Sequence, residues 1–213
     1  MDIASRIEKA KIIAVLTIDN ADHAVPLART LLDGGVGAME LTLRTPQAME
    51  CLIRIVNEVP EMLAGVGTVI RSDQAFEAKK NGAAFAVSPG TNRRVLEAAR
   101  EAGLFFAPGI VTPSDIEAAL EYDCRLMKFF PAETSGGLPH LRSMAVPYSH
   151  LGVKFIPLGG INETNLKTWL ADPLIAAVGG SWIAKPEEIR QADWETIRRR
   201  AQVAAGLCTD CNG

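Results

Sequence analysis

The chain has 213 residues, 48% apolar and 22% charged, a composition that supports a packed core and excludes a disordered or low-complexity protein. Its 22 basic and 25 acidic residues leave a net charge of -3 with no basic run, which excludes a charge-built nucleic-acid surface. No stretch approaches a membrane span, and Met1 to Ala10 is charged and amphipathic rather than a signal peptide, so no membrane partner and a cytoplasmic location are expected.

Residues 1–11 read as a short N-terminal helix. One pattern then repeats along the chain: a short apolar run, turn residues, and a longer segment of helical period. The runs are Ile12 to Ile18, Ala38 to Leu43, Met62 to Val66, Ala84 to Val87, Leu104 to Ala107, Arg125 to Phe129, Val153 to Leu158 and Ile175 to Val178. The first helical segment between them, Ala21 to Leu32, ends at Gly34-Gly35. Pro46 to Glu58 carries Pro in its first turn, where a missing N–H costs little. Ser72 to Lys80 stops at Asn81-Gly82, and Asn92 to Ala102 stops at Gly103. Thr112 to Tyr122 opens on Thr-Pro-Ser-Asp, a capping signature. Asn162 to Leu170 and Asp193 to Ala205 complete the set.

Strands alternating with helices imply an α/β protein with parallel strands, because parallel neighbours need a crossover. A closed barrel and an open doubly wound sheet both fit, and eight runs favour a (β/α)8 TIM barrel. No linker or composition break divides the chain, so residues 1–213 read as a single domain with a flexible tail over 207–213. Cys51 and Cys124 lie in apolar contexts and read as reduced core or near-core thiols. Cys208 and Cys211 form a C-x-x-C in the tail, without a second Cys/His pair at metal-ligand spacing.

In a parallel barrel the downstream ends of all strands share one face, and chemistry lives there. The sixth run carries Lys128 among Leu126, Met127, Phe129 and Phe130. Apolar flanks strip water from an ammonium and favour the neutral amine, which can attack a ketone to form a Schiff base. Taken alone, such a lysine more often snorkels its charge to water. In the second run, period-two alternation puts Glu40, Thr42 and Arg44 on one side. The pair is either structural or functional, with Glu40 shuttling protons and Arg44 gripping a substrate carboxylate. Gly159-Gly160 and Gly179-Gly180-Ser181 end the last two runs, corners where this fold holds phosphate. Gly34-Gly35 and Gly136-Gly137 read as plain turns. Lys154 sits at the upstream end of its run and reads as solvated. Trp169, Trp182 and Trp194 read as packing or interface residues.

Glu40-Leu-Thr-Leu-Arg44-Thr45, Gly65-Val-Gly-Thr68, Ser88-Pro89-Gly90, Lys128-Phe-Phe-Pro-Ala-Glu133, Gly159-Gly160-Ile161 and Gly179-Gly-Ser-Trp182, in this order, resemble the 2-keto-3-deoxy-6-phosphogluconate aldolase / 4-hydroxy-2-oxoglutarate aldolase family. The resemblance runs from about Ile12 to Ala205. It implies a class I aldolase on a (β/α)8 barrel, a homotrimer, and no metal or other cofactor. It implies Lys128 as the Schiff-base lysine and Glu40 as general acid/base. Arg44 and Thr68 would bind the pyruvyl carboxylate end, Pro89 and Phe130 would shape the pocket, and Gly159, Gly160, Gly180 and Ser181 would hold the phosphate. The partners implied are a phosphorylated 2-keto-3-deoxy sugar acid and pyruvate. One position departs from the gluconate-type pattern: Leu158 stands where many members have Thr, an apolar choice closer to the galactonate-type sibling.

Two other readings share the phosphate corners. A phosphate-binding isomerase or synthase of the thiamin-phosphate or tryptophan kind would not need Lys128 as nucleophile. A sugar-acid phosphate binding protein would bind without turnover. A metal-dependent aldolase fits poorly, since His23, His140 and His150 do not lie at strand ends.

Overall fold

The computed structural model describes residues 1–209, so Cys211, and with it the C-x-x-C motif, lies outside the described residues. The elements run α1 (Ile3–Ala10), β1 (Ile12–Leu16), α2 (Ala24–Asp33), β2 (Ala38–Thr42), α3 (Ala48–Glu58), β3 (Leu63–Gly67), α4 (Ser72–Lys80), β4 (Phe85–Val87), α5 (Arg93–Glu101), β5 (Phe106–Ala107), β6 (Gly109–Ile110), α6 (Pro113–Leu120), β7 (Leu126–Phe129), α7 (Gly137–Ala145), β8 (Lys154–Pro157), α8 (Leu166–Leu170), β9 (Val178–Gly180), α9 (Pro186–Arg190) and α10 (Trp194–Thr209). Paired strands are parallel throughout. They form a six-stranded sheet of order β5-β4-β3-β2-β1-β9 and a three-stranded sheet of order β6-β7-β8. The chain passes from one sheet to the other through Pro108, and one bridge, Phe155 to Ile175, extends the smaller sheet toward β9. Among the described residues no helix is long and apolar enough to cross a membrane.

Strand alternation sorts the core into two clusters. Ile12, Ala14, Leu16, Met39, Leu41, Val66, Met127 and Phe129 belong to the cluster shared with the helices. Ile13, Ala38, Leu63, Phe85, Leu126 and Ile156 point the other way, into a second cluster. At the upstream end α1 covers this inner cluster with Ile7, which is fully buried and contributes about 1.5–3 kcal/mol. Asp2 fixes the start of that helix by accepting the Ser5 N–H at 2.8 Å. Further downstream on the same inner face the apolar series gives way: Ala38 is followed by Glu40, and Leu126 by Lys128.

The cap signals work where they were read. Thr112 accepts the Asp115 N–H while Asp115 Oδ2 accepts the Thr112 N–H at 2.9 Å, with Pro113 in the first turn of α6. Cys51 is buried and Cys124 half-buried, and both are free thiols. Burial pushes each up to about 11.

Several expectations need correction. Gly136-Gly137 is not a plain turn: Gly136, at φ 97°, caps α7, a helix its Gly-Gly-x-Pro start does not announce. Glycine and Pro139 fall in the first turn, where amide hydrogens have no intrahelical partner, so neither breaks the helix. The short helix α9 was also missed. The last strand is Val178–Gly180 rather than Ile175 to Val178, because Gly179 and Gly180 pair with Ile13 and Ala14 instead of turning. Of the expected tail, residues 207–209 are helical with Cys208 buried against the core, and residues 210–213 lie outside the described residues.

Candidate active site

Lys128 and Glu40 reach the same point from different sheets. Lys128 is on β7 and only 6% exposed, and Glu40 is on β2 and only 2% exposed. Lys128 Nζ donates to Glu40 Oε1 at 3.2 Å, with Oε2 at 3.5 Å, and lies 5.3 Å from the centre of the Phe130 ring. An ammonium and a carboxylate withdrawn from water this far cost several kcal/mol each unless paired, so each requires the other. The pair opens onto a cavity of about 190 Å³, lined also by Val15, Thr42, Arg44, Thr68, Pro89, Leu158, Gly159, Gly179 and Ser181.

Arg44 leaves the end of β2 and is exposed, yet its direction is fixed. Its Nη2 donates to Thr17 Oγ1 at 3.0 Å, and Thr17 shares a 2.9 Å hydrogen bond with Thr42, whose hydroxyl also donates to Leu16 O. Thr45 ties the following turn to Ile18 O at 2.6 Å. Thr68, at the exit of β3, has φ 61°, a left-handed conformation that a β-branched residue seldom adopts. Such strain costs about 1–3 kcal/mol and collects at functional sites. Pro89 is held by a locked turn: Ser88 donates to Gly90 O at 2.7 Å, and Thr91 donates to Gly109 O at 2.8 Å.

Gly159 and Gly160, at φ 97° and 85°, form a left-handed corner only glycine takes readily. Glu133 braces it. A Cβ on Gly160 would stand 2.6 Å from Glu133 Cγ, and the Glu133 carboxylate accepts from Trp169 Nε1 at 2.7 Å. No backbone carbonyl of the described residues takes the N–H of Gly160, Ile161, Ser181, Trp182 or Ile183. Neither glycine corner runs straight into a helix. Five residues separate Gly160 from α8 and five separate Gly180 from α9, so loose amide hydrogens rather than helix N-termini follow each corner.

Of the residues singled out from sequence, Lys128, Glu40, Arg44, Thr68, Pro89, Phe130, Gly159 and Ser181 line the cavity. Gly160 and Gly180 are their chain neighbours rather than lining residues. Lys154 lies apart, bonding Pro173 O at the upstream end. Thr42, which strand alternation put on the Glu40 side without a role, lines the cavity, and Thr17 was missed as a site residue. Thr17 falls inside the first apolar run, Ile12 to Ile18, and its contacts with Thr42 and Arg44 are what mark it. Among the described residues no three His, Cys, Asp or Glu side chains converge as a metal site would require.

Residues 3–200 match the family model for KDPG and KHG aldolase. A 2-dehydro-3-deoxy-phosphogluconate aldolase of Treponema pallidum is 40% identical over 200 residues, 94% of each chain. The KHG/KDPG aldolase of Escherichia coli is 38% identical over 193 residues, 91% of this chain and 90% of that one. A crystal structure of the Legionella pneumophila KDPG aldolase, with pyruvate captured at low pH as a covalent carbinolamine, superposes with a TM-score of 0.89 at 36% identity. That match covers 94% of this chain and 97% of the other. Fold and site together define an aldolase, a lyase. The chain belongs to the KDPG and KHG aldolase family.

Proposed function

We propose that this chain cleaves 2-keto-3-deoxy-6-phosphogluconate to pyruvate and glyceraldehyde 3-phosphate through a Schiff base on Lys128, and also cleaves 4-hydroxy-2-oxoglutarate to pyruvate and glyoxylate. The observation that carries this is the buried contact of 3.2 Å between Lys128 Nζ and Glu40 Oε1 at the mouth of a small cavity. Glu40 takes a proton from the ammonium, and the free amine attacks the C2 ketone to give a carbinolamine. Protonation of its hydroxyl by Glu40 releases water and leaves the iminium, with Glu40 again a carboxylate. Glu40 then accepts the C4 hydroxyl proton, the C3–C4 bond breaks, and its electron pair flows into the iminium to give a neutral enamine and the free aldehyde. Protonation at C3 and hydrolysis return pyruvate and the lysine.

Arg44 and Thr68 bind the pyruvyl carboxylate, the former through charge-assisted hydrogen bonds. Pro89 and Phe130 shape the cavity walls. Gly159, Gly160, Gly180 and Ser181 hold the phosphate with loose backbone N–H groups and a hydroxyl, and that remote binding orients the chain for cleavage. We further take the two sheets as arcs of one closed (β/α)8 barrel in a single domain, with β5 and β6 the halves of one strand. Supporting this, Lys128 N–H donates to Pro108 O and Ala176 N–H to Phe155 O across the two joins. The working protein is a cytoplasmic homotrimer.

Borohydride reduction in the presence of pyruvate, followed by peptide mapping, tests the central step. A lactyl-sized adduct on Lys128, absent without pyruvate, is the expected result. Folded protein that gives no adduct would remove the Schiff-base step, and cleavage that survives Lys128→Ala would exclude Lys128 as its nucleophile.

A further inference from the structure

We propose that Gly67 is a positioning residue that sets where the Glu40 carboxylate stands, an inference that rests on the aldolase reading for its kinetic half only. Gly67 ends β3 and pairs with Thr42, two residues downstream of Glu40 on the neighbouring strand. Its backbone is not in the left-handed region, so chain conformation does not call for glycine there. Space does. A Cβ on Gly67 would overlap Glu40 Oε1 and stand 2.5 Å from Cδ and 2.7 Å from Cγ.

The residue directly opposite Glu40 is Gly65, and its missing side chain is already filled by the Phe85 ring, whose nearest atom would lie 2.5 Å from a Cβ. Glu40 cannot lie straight across β3, because Phe85 is there. It leans downstream over Gly67 instead, and that lean brings Oε1 to 3.2 Å from Lys128 Nζ. Side chains on strands do lean along the strand, and the open space beside this carboxylate is the cavity it lines, into which a methyl at Gly67 would push it. A methyl group on Gly67 therefore displaces the carboxylate from the lysine. Gly67 acts through Glu40 and touches no substrate itself.

The test is a double-mutant cycle of Gly67→Ala in the natural chain and in a Glu40→Ala background, with Gly37→Ala as control. Gly37 begins the segment leading into β2 at an unstrained backbone angle, and a Cβ there meets nothing within 4 Å. In the natural chain Gly67→Ala is expected to lower kcat about a hundredfold with KM little changed, as small misplacements of catalytic groups do. It also lowers the melting temperature. In the Glu40→Ala background, where the overlapping atoms are gone, the same substitution changes neither residual kcat nor melting temperature. Gly37→Ala behaves as the natural chain. Equal melting losses in both backgrounds would overturn the proposal, as would a structure of Gly67→Ala with Glu40 still 3.2 Å from Lys128. If Gly67→Ala alone fails to fold while Glu40→Ala alone folds, recovery of folding in the double variant supports the proposal and continued failure there overturns it. The melting and structural readouts need no turnover, so they stand apart from a failure of pyruvate trapping in the natural chain, which would sink the aldolase reading instead.

Discussion

Leu158 lies buried beside the lysine and covers Gly179, where a Cβ would collide with Leu158 Cγ. It offers the cavity an apolar surface next to the left-handed corner of Gly159 and Gly160. A hydroxyl at this position could tell one C4 epimer of the substrate from the other by hydrogen bonding, and a leucine cannot. The expected outcome is weak discrimination between the gluconate and galactonate epimers, read as kcat/KM for each. A preference of about a hundredfold or more for the gluconate epimer would rule this out. Thr17 works at the same scale but on the other side of the site. It accepts from Arg44 at 3.0 Å, so Thr17→Val frees the guanidinium without removing it. KM is expected to rise about tenfold with kcat nearly kept, the loss of one hydrogen bond to a charged group. An unchanged KM would mean that Arg44 needs no such anchor. Strand alternation made Glu40, Thr42 and Arg44 readable as one set. Thr17 belongs to their network only through a contact 25 residues away in the chain, which no local pattern carries.

At the scale of elements, α7 is tied to the chain ahead of β9 by Arg142, which bonds the buried carboxylate of Asp172. Asp172 also accepts the Leu174 N–H at 2.8 Å, holding the turn before the Phe155–Ile175 bridge. Asp172 is 3% exposed and Arg142 60% exposed, so the two ends of the pair are not equivalent. Removing Arg142 strands a carboxylate inside the fold, whereas the arginine left by Asp172→Asn still reaches water. Arg142→Ala is therefore expected to cost about 2 kcal/mol and more than Asp172→Asn, measured by urea unfolding. The reverse order would show the pair to be a surface contact in effect. This helix is also where the sequence reading failed most. Gly136, Gly137 and Pro139 are loop residues by composition, and they start a helix here only because its first turn asks nothing of them. Where termini carried ordinary signals, as at Ser72 and Lys80, the bounds read from sequence and the observed α4 coincide. Gly179 and Gly180 deceived for a related reason: they pair with β1, and the side chains of Leu158 and Trp182 stand where their Cβ atoms would be, a tertiary cause.

For the whole molecule, the repeating apolar runs were enough to read a parallel α/β protein, and the downstream ends of the runs were enough to find most of the cavity. What the runs do not contain is that hydrogen bonding divides the strands into a sheet of six and a sheet of three. Glu40, Arg44, Thr68, Pro89 and Ser181 follow the larger sheet, while Lys128, Phe130, Leu158 and Gly159 follow the smaller. The site is thus a seam, and its chemistry reports whether the two halves are in register. Local openings in proteins are cheaper than global unfolding, and the joins at Pro108 and Ile175 are the thinnest pairing in this one. Activity should then fade at a lower urea concentration than the far-ultraviolet circular dichroism signal, and coincident midpoints would refute this. A pyruvate reduced onto Lys128 and gripped by Arg44 would act as a clasp between the halves, and although it ends turnover it should raise the urea midpoint of the circular dichroism signal above that of the untrapped chain.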